Sequence, residues 1–482
     1  MKKILYIMSL SFLFFSCTQE MTLPSKDASE LEIASSDGVT LLNKINPSAE
    51  TTLIDREGEY DFVFTSNKPA ASESYLTLAS RTELTNLVTE YNRHLLTTEY
   101  AILPETNLEV NAVKIEAGKS TADVKLTIKN FDKLAFGFYL VPFKVNFEGK
   151  TAIHMVKVFK DGAYSALSPN SKKAMPTLAS NCVLRTEPMK MIGYIETNDW
   201  DIRNLANFVL KGSKKPVFDY IVIFAANMNY DPIKKRRYLH FNDKLEPFVK
   251  DAVRYTKPLK DRGIKLIVDI LPNHQGVGFY NFQSYNEALD FVKELKMWAD
   301  KLGIDGFDID EEYANYSVLP SLPTKGNQSV FYFMRAFKDI MPDKLLTLYD
   351  YGHSLSSFSE DEDTKKKVND FIDLNWSDYN ITSGPRAGIS NHKYGNLSVE
   401  GNLRSYYFSS PTVYGPTLRS RAQSNVTNCY GNFMIFNIRG TEIKPNNSGV
   451  STAAQSLSYI TQVFYGEDAE FNGKYYVGQN GL

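Results

Sequence analysis

Between residues 26 and 160 apolar and polar positions alternate in short runs. "YDFVFTS", "NAVKIEAGKSTADVKLTIKN", "FGFYLVPFKVNFEGK" and "AIHMVKVFK" each repeat with a period of two, as strands with one buried face do, and "EAGKS" and "NFEGK" supply turns between them. This pattern predicts an all-β, immunoglobulin-like sandwich. Periodicity then fails in "AYSALSPNSKKAMPTLASN", where Ser, Pro and Lys accumulate, so a linker is expected over 163–185. From residue 188 onward the runs become short and strongly apolar, and most are separated by helical patterns. "MKMIGYIE", "FDYIVIFAAN", "GIKLIVDIL", "IDGFDIDEE", "KLLTLYDY", "FIDLNWSDY", "RSYYFSSPTVYG" and "GNFMIFNIR" read as buried parallel strands. Eight such strands over 188–482 predict a (β/α)8 TIM barrel. The fold class expected is therefore α/β, a barrel preceded by a smaller all-β sandwich.

One helix of the second region can be read closely. Ser284 and Glu287 have capping-box spacing, and Leu289, Val292, Leu295, Trp298, Ala299 and Leu302 recur at steps of three and four. Gly303 ends the pattern, and an acidic strand begins at once.

Composition adds limits. With 482 residues, 43% of them hydrophobic and 13% aromatic, the chain has material for more than one core. A net charge of −2 offers no basic face for nucleic acid or anionic membranes. Thirty Phe and 29 Tyr provide flat rings of the kind that suit sugar faces, although most will be core. The opening "MKKILYIMSLSFLFFSC" has two lysines, an apolar run too short to span a bilayer as a helix, and a small residue before Cys17. This is the layout of an export signal over 1–17. Cys17 stands where a lipoprotein would be cleaved and lipidated, and Phe14 and Phe15 depart from the usual lipobox, which leaves an ordinary cleaved signal as the alternative. Cys182 and Cys429 could pair outside the cytoplasm, but their distant spacing fixes no pairing.

The candidate chemistry lies in "IDGFDIDEEY" at 304–313, where five of ten residues are acids. On a strand, residues two apart share a face, so Asp308, Asp310 and Glu312 point one way and Phe307, Ile309 and Glu311 the other. If Phe307 and Ile309 meet helices, the three acids form an inward column with Glu312 at the carboxyl end, where barrel enzymes keep their chemistry. Neighbouring carboxylates raise one another's proton affinity, and a Glu held partly protonated near neutral pH is what a general acid requires. A solvated face is disfavoured by the apolar alternation, and a calcium loop of EF-hand type by Tyr313 at the position that needs glycine.

The spacing Asp305, Asp308, Asp310, Glu312 resembles the DxxDxDxE signature of family 18 glycoside hydrolases. "LHFNDKLEPFVKDAVRYTKPLKDRGIKLIVDILPNHQGVGF", "LGIDGFDIDEEYANY" and "MPDKLLTLYDYG" are similar to endo-β-N-acetylglucosaminidases of the endoglycosidase H and F type, over roughly 188–470. Residues 26–160 resemble the β-sandwich found ahead of such domains in surface lipoproteins of glycan-foraging bacteria. The resemblance implies hydrolysis of the GlcNAc-β-1,4-GlcNAc bond in the core of N-glycans, leaning to high-mannose forms, by substrate-assisted retaining catalysis. It implies that Glu312 protonates the leaving oxygen, that Asp310 orients the 2-acetamido group as an oxazolinium forms, that Asp308 supports Asp310, and that Asp305 is structural. Tyr379 is implied to hold the acetamido group, although "LNWSDYN" lacks the family's Asn-Pro on strand six.

Sugar contacts are expected from other strand ends: Asn227 and Asn229 after strand two, Asn273, His274 and Gln275 after strand three, and Asn437 after strand eight, since amides both donate and accept. Tyr313, Tyr349 and Trp376 are candidate stacking rings. The alternatives are a catalytically silent glycan-binding lipoprotein and a chitinase. The six histidines show no HExxH spacing, "GVG" at 276–278 lacks the third glycine of a dinucleotide site, and no GxSxG elbow occurs, so neither metal nor cofactor is expected. A monomer is expected, tied to the outer membrane or cell surface of a Gram-negative bacterium only through its lipid.

Overall fold

The computed structural model describes residues 38–477 apart from 50, 79, 96, 98, 111–112, 161–172, 175–181, 183–186, 199–200, 352–359, 380, 387 and 402–406. The expected export signal with Cys17, and most of the expected linker, lie outside the described residues.

Residues 39–160 build two sheets. In one, Val39–Asn43, Gly58–Ser66, Thr121–Ile128 and Leu108–Val110 pair antiparallel in that order. The other runs Thr51–Ile54, Lys150–Lys160, Gly137–Phe147, Ser74–Leu78, Val113–Ile115, with Thr51–Ile54 parallel to its neighbour. Alternate residues of both sheets, among them Phe62 and Phe64 of the first and Val141, Phe143 and Val156 of the second, share one buried cluster. The rings of Phe62 and Phe143 meet edge to face at 5.3 Å. A helix, Arg81–His94, departs from the all-β expectation. Ser80 caps it by accepting from the Glu83 N–H, and Leu84, Val88 and Tyr91, three and four residues apart, form its buried face.

The remainder is α/β. We label the strands of its parallel sheet β1 (Lys190–Glu196), β2 (Tyr220–Asp231), β3 (Lys265–Pro272), β4 (Gly306–Asp310), β5 (Leu345–Asp350), β6 (Leu374–Ser377), β7 in two pieces (Tyr394–Gly395 and Val399–Glu400) and β8 (Asn432–Phe436). Each pairs in parallel with its neighbours, and β8 pairs with β1. Alternation sorts the side chains onto two faces. Ile221, Ile223, Leu266, Val268, Phe307 and Ile309 join the helix residues Leu295, Leu302 and Phe337 in the large core. Ile192, Tyr194, Val222, Ile267, Trp376 and Met434 form a separate cluster on the opposite face.

Two expectations for strands are corrected. Strand seven is not "RSYYFSSPTVYG": Pro411 opens the helix Pro411–Thr427, where its missing N–H costs nothing, and the strand is the less apolar "YGNLSVE" just before. That segment is interrupted at Leu397, whose φ is +56°, so it carries no clean alternation. Strand two runs past Asn227 and Asn229 to Asp231 and turns back as a hairpin through Arg236–His240. The helix Tyr285–Leu302 forms as its spacing predicts, with Gly303 left-handed at its end. Only half of the capping box closes: Ser284 accepts from Glu287 N–H, whereas the Glu287 carboxylate turns to the Gln283 N–H at 2.7 Å.

Cys182 and Cys429 form a disulfide, with Cα atoms 5.2 Å apart. A buried ionic contact joins the two halves of the chain: Lys157 Nζ lies 2.8 Å from Asp251 Oδ1, and the Tyr100 hydroxyl donates to Asp251 Oδ2 at 2.7 Å.

Candidate active site

Strand β4 places the acids. Its register sets Asp308 opposite Asp269 of β3 on one side and Thr347 of β5 on the other. The close approach starts at Gly306, where a Cβ would come within 2.2 Å of the Leu345 carbonyl oxygen, so only glycine lets β4 lie this near β5. Phe307 and Ile309 face the helices, and Asp308 and Asp310 face the other way.

Asp308 is fully buried and surrounded by donors. The hydroxyls of Tyr194 and Thr347 both donate to its carboxylate, the latter at 2.5 Å, and Tyr194 in turn accepts from the Trp376 indole at 2.9 Å. Burial raises the affinity of Asp308 for a proton and these donors pull it back, leaving it at about 7. Asp310 is 1% exposed, and its Oδ1 has no partner among the described residues. Burial first, then the charges of Glu312 and Asp308, push it well above the carboxylate range.

Glu312 is half-buried, just beyond the end of β4. Desolvation lifts it to about 7, with Tyr313 acting against and the Asp378 charge acting with that shift. A carboxyl at the rim of a buried acid column can therefore carry a proton at neutral pH and release it without a large penalty. The neighbouring Glu311 points elsewhere. It accepts from Phe279 N–H at 2.8 Å and from the Tyr316 hydroxyl at 2.5 Å, which ties the loops after β3 and β4 together. A second tie is His274 N–H to the Tyr313 carbonyl at 2.8 Å, with their rings 5.2 Å apart. Both His274 and Tyr313 have a φ of +56° and both are exposed, Tyr313 next to Glu312 in sequence and His274 against Tyr313.

Tyr349 and Tyr379 stand on the neighbouring strand ends, their rings 6.3 Å apart. The Tyr349 hydroxyl and the Tyr379 N–H both donate to Asp378 Oδ1, at 3.0 and 2.6 Å. Burial pushes the Tyr379 phenol well up, with the Glu400 and Asp310 charges adding to it. Asn273 donates to Asn229 at 3.0 Å, and Asn227 reaches the Leu271 carbonyl at 3.3 Å. Gln275 accepts from Tyr230 N–H at 2.8 Å, a contact that shapes the β2 hairpin. Asp305 accepts from Leu266 N–H at 2.9 Å at the opposite end of β4, far along the strand from Glu312.

Two expected sugar contacts are corrected. Trp376 is 0% exposed because its place in β6 turns it onto the crowded inner face, where its indole holds Tyr194. Asn437 is also fully buried; it accepts from Glu196 N–H at 3.2 Å and steadies that strand end from below. Sequence reasoning missed Tyr194, Thr347, Asp269, Asp378 and Glu196. A signal existed for the third: Asp269 is the lone acid inside the apolar run "LIVDIL".

Residues 37–150 match a domain family described as an N-terminal domain. Endo-beta-N-acetylglucosaminidase F1 of Elizabethkingia meningoseptica is 31% identical over 292 residues, 60% of this chain and 81% of that protein. An endo-beta-N-acetylglucosaminidase of Flavobacterium sp. (strain SK1022) is 29% identical over 283 residues, 58% of this chain and 82% of that one. The fold is similar to that of Bacteroides thetaiotamicron EndoBT-3987, solved with a Man5GlcNAc product, at a TM-score of 0.52 and 21% identity, covering 92% of this chain and 98% of that chain.

Proposed function

This chain belongs to the endo-β-N-acetylglucosaminidase family of glycoside hydrolases, and we propose that it cleaves the GlcNAc-β-1,4-GlcNAc bond in the core of N-glycans, with a lean toward high-mannose forms. The observation that carries the reading is Glu312, half-buried above Asp310 and Asp308 with its proton affinity lifted to about 7. Glu312 gives its proton to the oxygen leaving the anomeric carbon and afterwards takes one from the attacking water. The nucleophile is the substrate's own acetamido oxygen, the substrate-assisted route of this class. Asp310, with Oδ1 unpartnered, orients the acetamido N–H and stabilises the oxazolinium, while Asp308 supports Asp310 from beneath. Tyr379 holds the acetamido group beside Asp310, a role supported by the charge that Asp310 exerts on its phenol.

The wider platform comprises Asn227, Asn229, Asn273, His274, Gln275, Tyr313 and Tyr349, all at or near strand ends. The high-mannose lean draws on EndoBT-3987, which was also solved with a Man9GlcNAc2Asn substrate. The sheet is read as a closed (β/α)8 barrel, because its two outermost pieces, Tyr394–Gly395 and Val399–Glu400, belong to one stretch of chain. Residues 26–160 are read as an immunoglobulin-like sandwich ahead of it, supported by the shared cluster of the two sheets. The Cys182–Cys429 disulfide supports an oxidising compartment and hence export; the reading as a lipid-anchored monomer at the outer membrane or cell surface rests on the N-terminal sequence ending at Cys17.

Incubation with a high-mannose glycoprotein tests the central claim by mass. The expected product is the protein bearing a single GlcNAc; an unchanged mass with retained glycan binding would establish a silent lectin instead.

A further inference from the structure

Asp269 is a fully buried acid beside Asp308 that the mechanism above does not use. It lies on β3 directly across from Asp308, and it is 0% exposed. Neither of its oxygens has a hydrogen-bond donor among the described residues. The titratable groups facing it are Asp308, Asp310 and Glu312 from β4 and its end, and Tyr194 from β1. On its other side β2 offers only Ile223, Phe224, Ala225 and Ala226, none of which titrates.

An ionised carboxylate in this place would have no donor and three acids for neighbours, an arrangement that low dielectric makes prohibitively costly. A protonated one has a ready acceptor. Asp308 already gathers the hydroxyls of Tyr194 and Thr347, whereas Asp310 Oδ1 has no partner among the described residues. We propose that Asp269 is a permanently protonated positioning residue that donates its carboxyl hydrogen to Asp308, holding that acid as the anion so that the exchangeable proton resides higher, on Asp310 and Glu312. Burial and the charges of Asp310 and Asp308, which push Asp269 well above the carboxylate range, agree with this assignment. The proton on Asp269 is not transferred in turnover; it stays on β3 and fixes where the mobile one sits.

The proposal rests on the function proposed for Glu312 and Asp310, and its first test is independent of catalysis. Difference infrared spectra of the resting protein at neutral pH, wild type against Asp269→Asn, should show loss of a protonated-carboxyl carbonyl stretch. Loss of an ionised carboxylate band instead would overturn the assignment, whether or not the wild type hydrolyses N-glycans.

The second test is kinetic. Asp269→Leu removes the donor, so Asp308 draws the proton down; with one negative charge fewer beneath them, Asp310 and Glu312 hold theirs less tightly. The alkaline limb of kcat/KM should then move to lower pH, and kcat should fall by about ten- to a hundredfold, the worth of one hydrogen bond to a charged group. Asp269→Asn restores an N–H donor and should return the limb most of the way toward wild type. If Asp269→Asn were no better than Asp269→Leu in both limb and kcat, donation to Asp308 would be refuted. Should Asp269→Leu fail to fold, the infrared comparison and the pH limb of Asp269→Asn still decide the matter.

Discussion

Replacing Glu312 by Gln removes one exchangeable proton and almost no volume. In the wild type the carboxyl is displaced from the usual 4.5 to about 7, so roughly nine-tenths of the molecules hold the proton one pH unit below that value and one-tenth a unit above it. A positioned general acid is worth about 10²–10⁴ in rate, or about 3–6 kcal/mol of barrier. Wild-type kcat/KM should therefore fall about tenfold per pH unit on the alkaline side, and the Gln variant should be slow and insensitive to that ionisation. Stability should move the other way. The folded chain binds this proton more tightly than the unfolded chain, so ionising Glu312 costs stability as pH climbs from 4.5 through about 7. For a fully buried group the cost above that range would be about 3 kcal/mol, and solvent screening of a half-exposed side chain leaves about 1 kcal/mol. Thermal melts should thus coincide below about pH 4 and favour the Gln variant above about pH 8. Turnover close to wild type would remove Glu312 as the acid, and a lower melting temperature for the variant at alkaline pH would show that its carboxylate is stabilised by a partner rather than strained by desolvation.

Asp310→Asn keeps the shape and a hydrogen-bonding amide but cannot carry the countercharge for an oxazolinium; kcat should fall about a hundredfold with KM little changed, and an unaltered kcat measured on a glycopeptide would exclude Asp310 from the chemistry. Away from the site, Asp251→Ala strands Lys157, whose side chain is only 8% exposed, and should cost about 3–5 kcal/mol in denaturant unfolding. A loss under about 1 kcal/mol would mean that this junction is held by its apolar contacts instead.

The acidic strand was legible because strand periodicity is local. Phe307 and Ile309 announce the helix-facing side, and Asp308 and Asp310 follow on the other by simple alternation, with Glu312 just past the strand end. The helix Tyr285–Leu302 and its glycine stop were legible for the same reason. Strand seven was not, since "YGNLSVE" breaks its alternation at Leu397 and a more aromatic stretch nearby imitates a strand. The helix Arg81–His94 escaped notice within a region of alternating runs, although Ser80 and the spacing of Leu84, Val88 and Tyr91 carry its signature.

By itself the chain's order of residues determined which carboxyl stands at the end of the acidic strand and which acids lie beneath it, because a period of two depends on nothing outside the strand. Tertiary structure decided what those acids meet. Tyr194 and Thr347 donate to Asp308 from two other strands, Asp269 lies across from it on a third, and Trp376 and Asn437 are drawn inward beneath the rim. The physical reason is that proton affinity and access to a ligand follow from burial and from facing charges, and both are set by register between segments far apart in the chain.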